Sequence, residues 1–549
     1  MHLFAKDNGL QILFVRENLE TIPNILPSPY PDMVDFEVNE NGVLKQLEEL
    51  NVNKSVGPDG LSPHLLKMLA PVITPCLTNI FNQSLSLGKS PADWKMQYIT
   101  PILKPGKDKT DPASYRPISI TSVCCKVLEH IIYSQSMDHL QKYNILSDLQ
   151  HGYRNGCSTE TQLLKVIDKF AKALEDEAQL DAISLDFARA FDVVPTGRLL
   201  LKLNYYGLRK LLPWFKDFLT GRKQLVTVEG IKSRLVEVLS GCPQGSRLSA
   251  FFFLVFINDL PESIVESFSG LFCDDTLVAK QINSPSDSEA LQKDLDNVLE
   301  WTKMWGMSFN TDKCVIMTVS NKRNPVMTDY TLNNVSLSRK EVIKYLGLYI
   351  DNKLSFKYHI EEKYQSATKI LNLLRRNLYF APKSVKSKAY FSCVVPIIEY
   401  GSSCWSPSSE KLNHKIEMLQ HNAAKFACNS YPRKGHYEEF SISNLLTNLQ
   451  WETLEDRRNR AKLNMAYKIV NEKVILSPSM LPRPTRPLRE CNVGSVGTVN
   501  QLLEPIARLK TVEKTFFYQV PKLWNNLVTR EQASAPSLDS FKNHFKRNN

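Results

Sequence analysis

Long hydrophobic runs are missing from this chain. No stretch reaches the ~18 apolar residues that a membrane-spanning helix needs, and SAFFFLVFIN, at 249–258, is too short. No membrane partner is expected. The opening MHLFAKDNGLQ lacks the basic and apolar blocks of a secretory leader. Paired cysteines are missing too. The 11 cysteines are scattered, odd in number and without a C-x2-C pair. That argues against a zinc module or disulfide framework and for a reducing compartment. The expected location is intracellular, cytoplasmic or nuclear. Internal repeats and long low-complexity tracts are absent as well. What remains is a globular composition, 43% hydrophobic and 23% charged, in 549 residues, long enough for several subdomains.

Charge is unevenly spread. Residues 1–352 carry 37 Lys and Arg against 41 Asp and Glu, whereas residues 353–549 carry 31 against 16. The net +11 therefore comes from the C-terminal part. A basic part joined to an acid-bearing part suits a protein that grips a polyanion with one and works on it with the other. On charge alone, a generically solvated basic surface fits equally well.

Turn and period signals divide the chain at 1–50, 51–352, 353–440 and 441–549. Residues 1–40 read as an irregular, Pro-rich lead-in. Helices follow, broken by the turn Gly57-Pro58-Asp59-Gly60. WKMQYITPILKPGKDKT reads as a strand entering a Lys-rich turn, and 113–180 as mainly helical. DAISLDFARAFDVV opens as a strand and becomes a helix, which places Asp192 about two helical turns from Asp186. RKQLVTVEG and SRLVEVLSG alternate as hairpin strands, RLSAFFFLVFINDLPESI is a buried helix, and GLFCDDTLVA is strand, turn and strand. KCVIMTVS and VIKYLGLYI each read as a strand. Beyond about 355 the pattern is helical. Leu412, Ile416, Leu419, Ala423 and Phe426 form one helix face, and 478–490 is a Pro/Arg linker.

Asp274 and Asp275 stand side by side between apolar runs. A hairpin turn favours Asp for backbone reasons of its own. Here the buried flanks hold both acids at a rigid tip, and crowding two carboxylates is costly unless a cation sits there. Asp186 in AISLDFARAF is a third acid at a strand end. Three carboxylates at two strand tips suit a pair of Mg2+ ions, which take oxygen ligands, with Mn2+ as an alternative. Two such ions can clamp the attacking and leaving oxygens of an in-line phosphoryl transfer. In SGCPQGSRLS, Gly241 and Gly245 permit close backbone approach and Gln244 can bond a base or sugar edge. Lys104, Lys107 and Lys109 could meet a triphosphate or form a solvated basic hairpin.

An ordered set of blocks runs NKSVGPDGLSPHLL, ILKPGKDKTDPASYRPISITSVCCKVLEHII, QHGYRNGCSTETQLL, LDFARAFDVV, GCPQGSRLSAFFFLVFINDLP, FCDDT, WGMSFNTDKC and KYLGLYID. Together they resemble the reverse transcriptase of non-LTR (LINE-like, jockey-type) retrotransposons. The resemblance covers roughly residues 40–435, with similar blocks nearly to the end.

It implies an α+β right-hand polymerase of fingers, palm and thumb. The fingers and palm would fill 51–352, with a core from about 85, followed by a helical thumb at 353–440 and a basic region at 441–549. It also implies an RNA template, a DNA primer, dNTPs and two Mg2+ ions. By motif match, Asp186, Asp274 and Asp275 would be the catalytic metal ligands. Phe191 would be the steric gate that rejects a ribose 2′-OH, Arg116 would hold the triphosphate with Lys104, and Gln244 and Gly245 would lie near the incoming base. Lys313 would protonate the leaving pyrophosphate, and Tyr345, Leu346 and Gly347 would lie in the primer grip. Asp192 is read as structural.

Cys273 stands where the family usually has Ala, and Arg247 and Ser249 stand where apolar and Gly residues are usual. Only about 50 residues precede the fingers and no Cys/His knuckle follows. An element without its N-terminal endonuclease is therefore expected. A catalytically inactive nucleic-acid-binding relic is the alternative from another class, and a group II intron maturase is the rival within enzymes. YRPISITSV and VFINDLP fit the LINE-like group better, and the persistence of all three acids favours activity.

Overall fold

The computed structural model describes residues 17, 22–23, 25, 27–431, 441–484 and 501–546. The chain is mixed α/β and gathers into two compact units. One draws on 1–153, 186–265 and 294–310, the other on 154–185, 266–293 and 311–549. Much of the expected lead-in, and residues 485–490 of the expected linker, lie outside the described residues. No helix among the described residues is long and apolar enough to cross a membrane.

The strands that matter here are β1 (Met96–Leu103), β2 (Tyr115–Ile120), β3 (Gln179–Leu185), β4 (Lys223–Val228), β5 (Phe268–Phe272), β6 (Asp275–Gln281), β7 (Val315–Ser320), β8 (Ser338–Arg339), β9 (Val342–Tyr345) and β10 (Leu348–Asp351). The helices are α1 (Val123–Lys142), α2 (Thr159–Glu175), α3 (Arg247–Ile257), α4 (Lys357–Asn377), α5 (Lys383–Cys393), α6 (Glu410–Cys428) and α7 (Leu454–Val470).

In the first unit β1 pairs antiparallel with β2 and parallel with β4. The segment expected to be mainly helical from 113 thus begins with a strand. As an edge strand, YRPISI tolerates Pro117, which has no N–H to donate. Helix α3 is apolar on every side from Phe251 to Ile257 and buried throughout that run, with Phe251, Phe252, Phe253 and Phe256 inside. Its start is well built despite the unusual Arg247 and Ser249. Ser246 caps it, and the buried Glu129 carboxylate of α1 accepts from Ser246 Oγ (2.5 Å) and from the Arg247 N–H (2.8 Å). A negative charge is favourable at a helix N-terminus. Ser249 Oγ donates to the Pro243 carbonyl at 2.6 Å.

In the second unit five strands lie in the order β8-β7-β3-β6-β5. Central β3 is antiparallel to both β6 and β7. VIKYLGLYI is a hairpin rather than one strand. Tyr345 pairs with Leu348, and Leu346 and Gly347 between them both have positive φ, +46° and +82°. Two such residues give the turn whose twist matches antiparallel strands. Helix α2 starts at a capping box of Ser158 and Thr161 and lays Leu163, Ile167 and Phe170 into one continuous core. That core runs through Tyr345 and Ile350 to Trp405, Leu419, Phe426 and Tyr467.

Lys462 of α7 is buried in that core, where it donates to Ser406 and to Gln519 Oε1 (2.6 Å). Burial first, then Arg458 and Lys514, pull its ammonium down to about 7. An unfolded-chain lysine titrates near ~10.4. Between the two values the unfolded chain binds more protons, so stability rises with pH across that window; below about 7 the cost of burying the charge is present in full. The urea midpoint should therefore climb from about pH 7 to about pH 9, this group contributing up to ~1.4 kcal/mol per pH unit. Lys462→Met should flatten the climb, because Ser406 already donates to Gln519 (3.1 Å) and neither is orphaned. Parallel midpoint curves for the two proteins would refute this account.

Candidate active site

The register Phe272↔Asp275 leaves Cys273 and Asp274 as a two-residue turn between β5 and β6. Cys273 takes φ +59° there. A side chain in that region costs about 1–3 kcal/mol, and such strain gathers at functional sites. Leu271 and Leu277 on either side are fully buried, while Asp274 is half-buried and Asp275 exposed. Burial first, then the neighbouring Asp274, push the Cys273 thiol up, so it stays neutral beside the acids. In the same sheet Leu185 faces Thr276. Asp186 follows Leu185 in the chain, as Asp275 precedes Thr276.

The turn is braced from within its own unit. Tyr345, 2% exposed, donates to the Gly270 carbonyl (3.3 Å) and receives a bond from Gln162 Nε2 (3.1 Å). A Cβ on Gly270 would lie 2.2 Å from Gln162 Nε2, so the contact needs glycine. Gln162 was not singled out from the sequence; its signal is a polar residue on a buried helix face, just before Leu163 and Leu164. In the next turn, Tyr400 Oη donates to the Leu346 carbonyl at 2.7 Å. Lys313 is exposed in the turn before β7.

The first unit holds the other candidates. The Asp186 carbonyl accepts from the Asn310 N–H (2.8 Å), and the Ser308 carbonyl accepts from the Ala188 N–H (2.9 Å). The rings of Phe187 and Phe309 lie 4.5 Å apart. This pairing corrects the expected strand-to-helix run. The chain stays extended past 186, turns at Arg189 (φ +55°), and is helical only over Ala190–Val193. Asp192 is therefore not two helical turns from Asp186.

Phe191 is half-buried and stacks on Phe253, ring centroids 4.6 Å apart. Gln244 Nε2 donates to Asp192 Oδ1 at 2.7 Å. Burial holds the Asp192 carboxyl above the usual range, against the pull of Gln244, Arg189 and Lys104. The Gln244 carbonyl accepts from the Ser119 N–H at 2.6 Å. Arg116 is exposed on β2 opposite Ile102, and the Lys104 N–H bonds the Ser114 carbonyl. Alternation along the strands then sets Lys104 and Arg116 diagonally on one face. Phe191, Asp192, Gln244, Gly245 and the Arg116 strand are thus linked, and Asp192 joins the candidates as the group that orients Gln244.

Among the described residues no three or more His, Cys, Asp and Glu side chains are already gathered to hold a metal ion. The donor chemistry does suit one. Asp274 and Asp275 offer carboxylate oxygens from one turn, the kind of donor that Mg2+ takes.

Residues 102–350 match the family model described as reverse transcriptase (RNA-dependent DNA polymerase). The chain is 27% identical to a probable RNA-directed DNA polymerase from transposon BS of Drosophila melanogaster, over 89% of this chain and 54% of that one. It is 29% identical to the RNA-directed DNA polymerase from mobile element jockey of the same fly, over 73% and 45%. With the probable RNA-directed DNA polymerase from transposon X-element, also of that fly, it shares 27% identity over 68% and 42%. The chain thus spans about half the length of the curated relatives it matches. The segment that carries Arg116, Asp186, Phe191, Gln244 and the Asp274–Asp275 turn thus matches the reverse transcriptase family model, and the similarity to RNA-directed DNA polymerases of jockey-type elements extends over most of the chain.

Proposed function

We propose that this chain extends a primer 3′-OH on an RNA template with dNTPs, as the RNA-directed DNA polymerase of a non-LTR retrotransposon. The observation that carries this reading is the sheet register. It sets the Asp274–Asp275 turn on a strand whose partner runs straight into Asp186. In this reading the β3–β5–β6–β7 sheet is palm, the β1–β2 region is fingers, residues 353–440 are thumb and 441–549 are a basic region that meets nucleic acid.

The three carboxylates would hold Mg2+, which when bound supplies positive charge against the triphosphate and the developing leaving group. Arg116 would bind phosphate oxygens in its planar fork, with Lys104 beside it as a point charge. Gln244, oriented by Asp192, and Gly245 would border the incoming nucleotide. Lys313 would deliver a proton to the departing pyrophosphate. The Tyr345–Gly347 turn, tied to Gly270 through Tyr345, would hold the primer end in register with the acids.

Primer extension on a homopolymer RNA template tests the reading, with incorporation of the complementary dNTP as the expected result. A folded chain that binds the template without extending the primer would leave only a nucleic-acid-binding role. Phe191 supplies a sharper test. Its ring would reject a 2′-OH by clash rather than recognise a deoxyribose, so Phe191→Ala should admit ribonucleotides and largely keep dNTP use. The readout is the ratio of kcat/KM for dNTP and NTP, which is insensitive to the stability lost with the Phe253 stack. An unchanged ratio would make Phe191 a packing residue only.

A further inference from the structure

From Lys363 to Ile398 the chain has seven Lys and Arg residues and no Asp or Glu. Most of α4 and all of α5 lie in this stretch, and the loop between them presents Tyr379 and Phe380 to solvent. Phe380 is 95% exposed and Tyr379 62%, their rings edge to face at 4.9 Å. Two adjacent aromatic rings left out of the core lose the burial that normally repays them, about 25 cal/mol per Å². Leu373 and Val385 are exposed beside them.

The loop is nonetheless well anchored. Its backbone closes through Leu378 N–H to the Leu374 carbonyl (2.8 Å) and Ala381 N–H to the Leu378 carbonyl (3.1 Å). The bases around it are held by neutral oxygens. Arg375 donates to the Asn422 carbonyl (2.9 Å), Lys383 to the Asn448 carbonyl (3.1 Å), and buried Lys386 to Asn429 Oδ1 (2.6 Å). None of these three partners is a carboxylate. Arg376 and Lys388 are exposed.

Exposed rings in a basic stretch of chain without acids offer what an unpaired nucleic-acid strand requires: faces for bases and cations for phosphates. A protein partner fits less well, because lysine is depleted from protein–protein interfaces. We propose that Tyr379 and Phe380 form a stacking platform for unpaired bases of single-stranded RNA, with Arg376, Lys383 and Lys388 on the flanking phosphates. The choice of RNA rests on the polymerase reading; the stacking chemistry does not.

The test uses the full chain without dNTPs or Mg2+. A ~12-nucleotide RNA carrying one 2-aminopurine reports affinity by anisotropy and stacking by quenching of the base. Binding should quench the base. Phe380→Ala should weaken binding roughly tenfold, abolish the quench and leave the salt slope unchanged, since stacking releases no counterions. Phe380→Trp should restore both affinity and quench. Arg376→Ala should keep the quench and lower the slope by roughly 0.7. A blunt duplex, with its bases paired, should be insensitive to Phe380→Ala. A single-stranded DNA that shows the Phe380 effect when RNA does not would overturn the choice of RNA. Equal RNA affinity and quench for Phe380→Ala and parent would overturn the platform, and a loss of self-association in that variant instead would assign the rings to a protein contact. Because 95% of the Phe380 surface is already in solvent, the substitution does not threaten the fold. Extension is read separately, so failure here leaves the polymerase reading standing, and absent extension leaves this binding test intact.

Discussion

Asp275→Asn should reduce primer extension at least about a hundredfold while leaving the protein folded, and Asp186→Asn should do the same. Each substitution keeps the shape of the side chain and removes its charge. The turn that carries Asp275 is fixed by Phe272↔Asp275 pairing and by buried Leu271 and Leu277, none of which uses the carboxylate charge. A structural cost is therefore small. The functional cost is large because phosphoryl transfer depends on electrostatic stabilisation and positioning, with little covalent work for the protein to do. Single-turnover extension with saturating primer-template and dNTP separates the chemical step from binding. RNA affinity of the same variants, measured without metal, should match the parent. Extension near the parent's rate by folded Asp186→Asn or Asp275→Asn would remove that acid from the catalytic set.

Gly245→Ala should destabilise the protein by about 3 kcal/mol or more and cost most of its extension activity. The position has φ +133°, and an added Cβ would meet the Ser119 carbonyl at 2.3 Å. That oxygen belongs to β2, and the Ser119 N–H is bonded to the Gln244 carbonyl. The strand cannot retreat without breaking that bond and carrying Arg116 with it. Overpacking of this kind costs about 1–3 kcal/mol, and the backbone conformation roughly 1–2 more. Gly106→Ala is the control, since φ is also positive there, +73°, but nothing lies within 4 Å of the new Cβ. Urea unfolding followed by tryptophan fluorescence reads both. Equal midpoints for Gly245→Ala and Gly106→Ala would show that the Ser119 contact yields easily.

Periodicity and turn chemistry made much of this fold readable. The all-apolar run at 251–257, the strand-turn-strand around Asp274 and the face of α6 follow from patterns that burial alone imposes. What escaped depends on partners distant in sequence. YRPISI is a strand because β1 lies beside it, and the helix expected after Asp186 is displaced because 308–310 pairs there instead. Likewise, Gln162 acquires meaning only when Tyr345 is brought to it, and Asp192 only when Gln244 is. The three acids stand out in the sequence as candidates by their position in motifs, whereas the bonds that brace the surrounding residues do not.

The interleaved chain path also sets an order of events during synthesis. Strand β3 has Gln179 paired with Ser320 on one side and Leu180 with Gln281 on the other. Neither neighbour exists when β3 leaves the ribosome, and such long-range pairings are the slow ones to form. Until residue 320 has been made, β3 keeps an unpaired edge and its apolar residues stay without their sheet, the state in which nascent chains aggregate or recruit chaperones. The acid-bearing sheet thus cannot close until β7 has been made, and a chain interrupted before β7 would be a folding liability.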